Sequence, residues 1–108
     1  MSNSIDEIIT ALIKSFKENF SDFKGIYLFG LYLDGQMHED EDIELVAIFD
    51  NEQDKTKREE IWRAIGKVEE EFDVFIDLHP LTVGELKKDE ELYQIVSEEG
   101  IFFNPELF

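Results

Sequence analysis

At 108 residues the chain has the length of one ordinary domain, expected to span 1–108 and to bury a real but modest core. Its composition, 43% hydrophobic with ten Phe, excludes a disordered chain, and the lack of cysteine excludes a disulfide framework, a thiolate metal site and a thiol nucleophile. With 27 acids against 10 bases and a net charge of −17, the surface repels nucleic-acid phosphates and anionic membranes, and it favours a basic partner or divalent cations.

The first element is a helix. Ser4 followed by Glu7 predicts a capping box, and Ile5, Ile8, Ile9, Leu12, Ile13, Phe16 and Phe20 recur at helical spacing. Ser21 to Lys24 break that pattern, and "GIYLFG" reads as a short buried strand. Leu31 to Glu41 reads as a helical turn followed by an acidic loop. "DIELVAIFD" is a second strand, with Ile43, Leu45, Ala47 and Phe49 on one side and Asp42, Glu44, Val46 and Ile48 on the other.

A long helix follows from about Asp54 to Phe72, with Ile61, Trp62, Ile65, Val68 and Phe72 expected on its inner stripe. "DVFIDLHPL" is a third strand that Pro80 is expected to end. Thr82 and Glu85 predict a capping box on a short helix. Asp89 caps another helix through Leu92, Tyr93, Ile95 and Val96, which stops at Gly100. "IFF" adds a last short strand before Asn104 and Pro105. Helices alternate with strands, so the fold is α/β or α+β around a small central sheet. No run is apolar and long enough to span a bilayer and no signal-peptide pattern is present, so a cytoplasmic protein without membrane contact is expected.

The acids are unevenly placed. From Gly25 to Asp54 there is no Lys or Arg, while nine acids fall in that window. Within it, Asp42 and Glu44 stand two apart on a strand, so their side chains leave one face close enough to share a cation. Asp77, in the middle of "VFIDLH", can converge on them if the two strands are neighbours. Hard cations such as Mg²⁺ take oxygen ligands of this kind and complete their shell with water and phosphate. One ion, or two about 4 Å apart, suits phosphoryl or nucleotidyl transfer. The competing structural reading has Asp42 at a strand edge, Glu44 solvated and Asp77 paired with a Lys or Arg. His38 is read as a solvated loop residue and His79 as a strand-end residue. "DGQMHEDEDIE" is not an EF-hand loop, since placing Gly35 at the invariant glycine puts Gly30 where an Asp is required.

Nearly end to end, the chain resembles the minimal nucleotidyltransferases, which belong to the DNA polymerase beta-like superfamily and are commonly encoded beside helical HEPN proteins. "YLFGLYLDG" is similar to the family's strand and Gly-Ser turn, "EDIELVAIF" to its acid-bearing strand, "VFIDLHPLT" to the strand with a third acid, and "LYQIVSEEGIFF" to its closing helix, Gly and strand. The resemblance implies a nucleotidyltransferase-like fold, Asp42 and Glu44 as metal ligands, and Asp77 assisting the metal and activating the incoming hydroxyl. It also implies nucleotide contact at Gly30 and Leu31, Mg²⁺ as cofactor and a HEPN-type partner.

The departures fall on the phosphate-binding turn. The expected Ser is Leu31 and the expected Arg is Asp34, so a hydroxyl is lost and a cation becomes an anion. Removing one charge-assisted hydrogen bond costs roughly 1.5–3 kcal/mol, and repulsion from Asp34 adds to this if it faces the phosphates. The reading is therefore a nucleotidyltransferase-fold protein with a degenerate phosphate-binding motif, acting mainly as a partner-binding, antitoxin-like subunit. The alternative is an active Mg²⁺-dependent enzyme that moves a nucleoside monophosphate from a triphosphate to a hydroxyl, on a protein tyrosine or a small molecule. The small size implies that a homodimer or a partner completes any pocket, and no direct contact with nucleic acid is expected.

Overall fold

In the computed structural model, which describes residues 4–38 and 40–108, the chain runs α1 (Ile5–Asn19), β1 (Phe23–Phe29), a 3-10 helix (Gly30–Asp34), β2 (Ile43–Phe49), α2 (Lys55–Phe72), β3 (Ile76–Leu81), α3 (Val83–Lys88), α4 (Glu90–Glu99), β4 (Ile101–Phe103) and a closing 3-10 helix (Pro105–Leu107). Residues 1–3 and Glu39, which belongs to the predicted acidic loop, lie outside the described residues. The four strands form one mixed sheet in the order β3-β2-β1-β4. β1 is antiparallel to β2 and β4, and β2 is parallel to β3.

Local chemistry sets the helix ends. Ser4 Oγ accepts from the Glu7 N–H at 3.1 Å, the forward half of the expected box. The reciprocal box forms at α3, where Thr82 Oγ1 accepts from the Glu85 N–H (3.1 Å) and Glu85 Oε1 accepts from the Thr82 N–H (2.9 Å). Asp54 caps α2 and Asp89 caps α4, each satisfying an N–H that the helix itself leaves open.

The sheet is covered on both sides. Ile8, Ile9, Leu12, Ile13 and Phe16 of α1 and Ile61, Ile65 and Val68 of α2 pack on one face, against Ile43, Leu45, Ala47 and Phe49. On the other face Leu86 of α3 and Val96 of α4 pack against Phe29, Val46 and Ile48. The alternation of side chains along β2 thus matches its sequence pattern, and both sides from Leu45 onward are core.

Two expectations are corrected. Trp62 is 48% exposed, and Ala64 takes the place on the inner stripe. At about 100° per residue, position 62 lies a quarter-turn or more off the line through Ile61, Ile65, Val68 and Phe72. Pro80 does not end β3, which runs on to Leu81. β3 is an edge strand, so the missing N–H of Pro80 can fall on the unpaired side, where no ladder bond is lost.

One polar hub ties α2 to the far end of β2. Lys57 Nζ donates to Asp22 Oδ2 at 2.6 Å and to the Asn51 carbonyl at 3.2 Å. The Asn51 N–H donates to the same Asp22 oxygen at 3.0 Å. The ammonium also lies 4.6 Å from the centre of the Phe49 ring, which belongs to a cluster with Phe16, Phe20 and Phe23. Burial pushes the Asp22 carboxyl up, but its bonds from Lys57 and Asn51 outweigh that and hold it below the ordinary value of 3.8.

A depressed folded-state pKa contributes stability that is present above the unfolded value and is lost as pH falls through the folded one. Asp22→Asn, which leaves a mostly buried ammonium short of its partner, is expected to cost about 1–3 kcal/mol at neutral pH. The gap from the parent chain should narrow as pH falls below about 4. Urea denaturation of both chains at pH 7 and pH 3 checks the size and the sign.

Candidate functional site

The acid-bearing strand enters the sheet at Ile43, whose N–H donates to the Phe75 carbonyl at 2.8 Å. Glu44 is then the register partner of Asp77 on β3 and of Phe29 on β1. Asp42 stands one residue before the strand and is exposed. The helical layer of α3 and α4 covers this sheet face over Val46 and Ile48, and none of its residues lines the space beside Glu44. What remains open is a pocket of about 390 Å³ lined by Leu31, Asp40, Glu41, Asp42, Glu44 and Asp77.

The structure therefore brings all three predicted acids, Asp42, Glu44 and Asp77, to one pocket together with Leu31. The competing expectation of a basic partner for Asp77 is not met: among the described residues, none of the three acids pairs with a Lys or Arg. Asp77 has His79 beside it at 3.6 Å, both half exposed, and His79 lies within β3 rather than at its end.

Gly30 lies behind Glu44, one of the pocket's lining residues. Its φ of +84° turns the chain from β1 into the 3-10 helix, a conformation that favours glycine. The Glu44 carboxylate lies against it, in the space that a Cβ at position 30 would take. Leu31 follows on the rim and is 53% exposed.

Tyr32, which the sequence reading passed over, holds the rest of the pocket in place. It is fully buried, and its hydroxyl lies 2.6 Å from the His38 carbonyl and 2.8 Å from the Glu41 carbonyl, sharing one proton between them. Burial, with the charges of Glu41 and Asp42 nearby, raises the Tyr32 pKa above its usual 10.0, so it stays a donor. The signal in the sequence was a lone phenol in an apolar turn next to an acidic loop, a group that needs a hydrogen-bond partner once buried.

Asp34 is turned away from the pocket. It accepts from the Gln36 N–H at 2.9 Å and pairs with His38 Nε2 at 3.0 Å. The Gln36 N–H first, and His38 second, hold its carboxyl below the ordinary range. His38 is thus engaged rather than freely solvated, its ring packed edge-on against Tyr32 at 5.1 Å.

A family model described as polymerase beta nucleotidyltransferase matches residues 11–104, which include the Gly30 turn and all three acids. The chain belongs to the polymerase beta nucleotidyltransferase family. Among solved structures it is similar to a toxin–antitoxin MntA–HpeT mutant, with 27% identity over 84% of this chain and 68% of that one at a TM-score of 0.64. A toxin–antitoxin structure with AMP-PNP has the same identity and TM-score over 85% and 68%. A third is a tri-AMPylated Shewanella oneidensis HEPN toxin in complex with MNT antitoxin, where 24% identity over 90% and 69% with a TM-score of 0.61 shows the fold. No curated protein sequence matches the chain significantly.

For a nucleotidyltransferase-family chain, the chemistry of the pocket is one-sided. Its donors are carboxylate oxygens, which suit a hard divalent cation. Among the described residues no three His, Asp or Glu side chains gather closely enough to form a metal set by themselves. The donors therefore fit an ion held by one or two carboxylates, with water and phosphate completing the shell.

Two measurements check the pocket's framework. Gly30→Ala is expected to lower stability by about 1–3 kcal/mol from backbone strain alone, read as a drop in the urea midpoint. Tyr32→Phe is expected to cost about 1 kcal/mol and to speed amide exchange across residues 38–42 while leaving β1 and β2 protected.

Proposed function

We propose that this chain is a nucleotidyltransferase-fold subunit that works by holding a HEPN-type helical protein, as the antitoxin-like half of a pair, with little or no transfer of nucleotide. The observation that carries this is the makeup of the pocket: among the described residues it is lined by five acids and one exposed leucine, with no Lys or Arg. A triphosphate is bound by cations, hydroxyls and backbone donors. Here Leu31 stands where the family resemblance places a phosphate-binding Ser. Asp34, where that resemblance places an Arg, is occupied with Gln36 and His38.

The similar solved structures support the partner class, since they are MntA antitoxins with HEPN-type toxins. A net charge of −17 suits a basic surface on such a partner and speeds the encounter. No helix among the described residues is long and apolar enough to cross a membrane.

The second reading is an active Mg²⁺-dependent nucleotidyltransferase, and the specific observation in its favour is that Asp42, Glu44 and Asp77 line one pocket. In it, Asp42 and Glu44 hold the ion and Asp77 accepts the proton of the attacking hydroxyl. The ion, when bound, neutralises phosphate charge and orients the nucleotide. A structure with AMP-PNP among the similar toxin–antitoxin complexes fits nucleotide use in that protein.

The two readings separate in one experiment. The chain and an Asp42→Asn, Glu44→Gln double variant are each co-expressed with a candidate HEPN-fold protein from the same genome and run on gel filtration, then titrated with ATP with and without Mg²⁺ by calorimetry. The expected outcome is that both chains co-elute with the partner and that ATP binding is weak or absent. Strong Mg²⁺-dependent ATP binding that the double variant abolishes moves the enzyme reading ahead. Loss of the partner from the double variant alone shows that the pocket, not the outer surface, makes the contact.

A further inference from the structure

The glycine at position 30 leaves a space on the sheet face, and that space is already filled. A Cβ built there falls on Glu44 Oε2, with the Glu44 carboxyl carbon just behind it at 3.0 Å. The three heavy atoms nearest that position all belong to Glu44. Glu44 is half-buried, and it reaches this spot from the first turn of β2 because Phe29, the residue before Gly30, is its cross-strand partner. Leu31 closes the rim beside it.

Side-chain length decides this contact. A carboxylate one methylene shorter ends about 1.5 Å nearer its own backbone and draws its oxygens back from the Gly30 surface, leaving only the Cβ of residue 44, at 3.5 Å, against it. Glutamate instead lays its charge on the one stretch of backbone in the pocket that has no side chain to keep an anion away. The geometry points to Glu44 as a built-in occupant of the Gly30 cradle, an autoinhibitory contact that excludes the phosphate chain of a nucleoside triphosphate by bulk as well as by charge. This inference rests on the reading of Gly30 and Leu31 as the nucleotide-contact turn. It deepens that reading by naming what occupies the turn.

The occupant is held by no hydrogen bond or ion pair among the described residues, so it can be displaced. It differs in this from Asp34, which two partners fix in place. The fold therefore keeps the cradle and blocks it with a single side chain, and one substitution should reopen it.

The test is calorimetric titration with MgATP of the parent chain, Glu44→Asp, Glu44→Gln and Leu31→Ser, with circular dichroism to establish that each variant is folded. Glu44→Asp is expected to bind at least about tenfold tighter than the parent, equivalent to roughly 1.4 kcal/mol, and tighter than Glu44→Gln, which removes the charge but keeps the bulk. Equal or greater gain from Glu44→Gln overturns occlusion by bulk and leaves charge as the barrier. Gain from Leu31→Ser but not from Glu44→Asp overturns the occupant while keeping Gly30 and Leu31 as the nucleotide turn. No gain from any of the three folded variants overturns both the occupant and the turn, and co-elution with the partner then judges the antitoxin-like reading on its own.

Discussion

Strand β2 is apolar on both faces from Leu45 to Phe49, so it needs a helical layer on each side. α1 and α2 cover Leu45, Ala47 and Phe49, while α3 and α4 reach Val46 and Ile48. Glu44 limits the second layer. A carboxylate roofed by Leu86 and Val96 without a partner would cost several kcal/mol, so the helices stop before it and the sheet face opens to water there. The pocket is what this constraint leaves: β1 ends in the Gly30 turn, and β2 and β3 begin side by side with Glu44 next to Asp77. Its position follows from where a buried strand changes from apolar to acidic.

The pocket wall also needs a staple. Asp40, Glu41 and Asp42 arrive in sequence beside Glu44 and Asp77, and like charges so close together push the incoming segment away from the sheet. Tyr32 counters this, its buried hydroxyl bound to the His38 and Glu41 carbonyls of that segment. The Asp34–His38 pair holds the outer side of the same segment. Asp34 thus has a structural role of its own and is not among the residues that line the pocket. Of the two departures from the family pattern in this turn, only Leu31 bears on the pocket.

Much of this was legible in the residues. The two-sided pattern of "IELVAIF" named both core faces of β2, and the adjacency of Asp77 to Glu44 followed once the two strands were neighbours. Thr82 with Glu85, Asp89 and Gly100 marked helix ends that the structure reproduces. What failed did so for physical reasons specific to each residue. Trp62 sits beside an inner-stripe residue in sequence, but its angular position lies off the stripe. A proline breaks an interior ladder, but β3 is an edge. Glu44 lying over Gly30 could not be read at all, because strand register fixes which residues face each other while rotamers decide where a long carboxylate ends.

The pocket's charge leaves an imbalance that the chain cannot settle alone. Five carboxylates meet there, and two of the chain's cations are committed elsewhere: Lys57 to Asp22, and Lys24 to Asp50, both at the opposite end of β2. Among the described residues no Lys or Arg lines the pocket, so divalent ions or a basic surface from outside suit its charge. An ion satisfies two carboxylates locally. A basic partner would satisfy the whole face, would attract it from about a Debye length away, and would cover Leu31, which is apolar and half exposed on the rim. An exposed leucine set among acids disfavours a polyanionic ligand and favours a protein surface that is apolar at the centre and cationic around it. That is the physical reason to weigh partner binding above nucleotide transfer for this pocket, and it needs no loss of the nucleotidyltransferase fold on which the pocket is built.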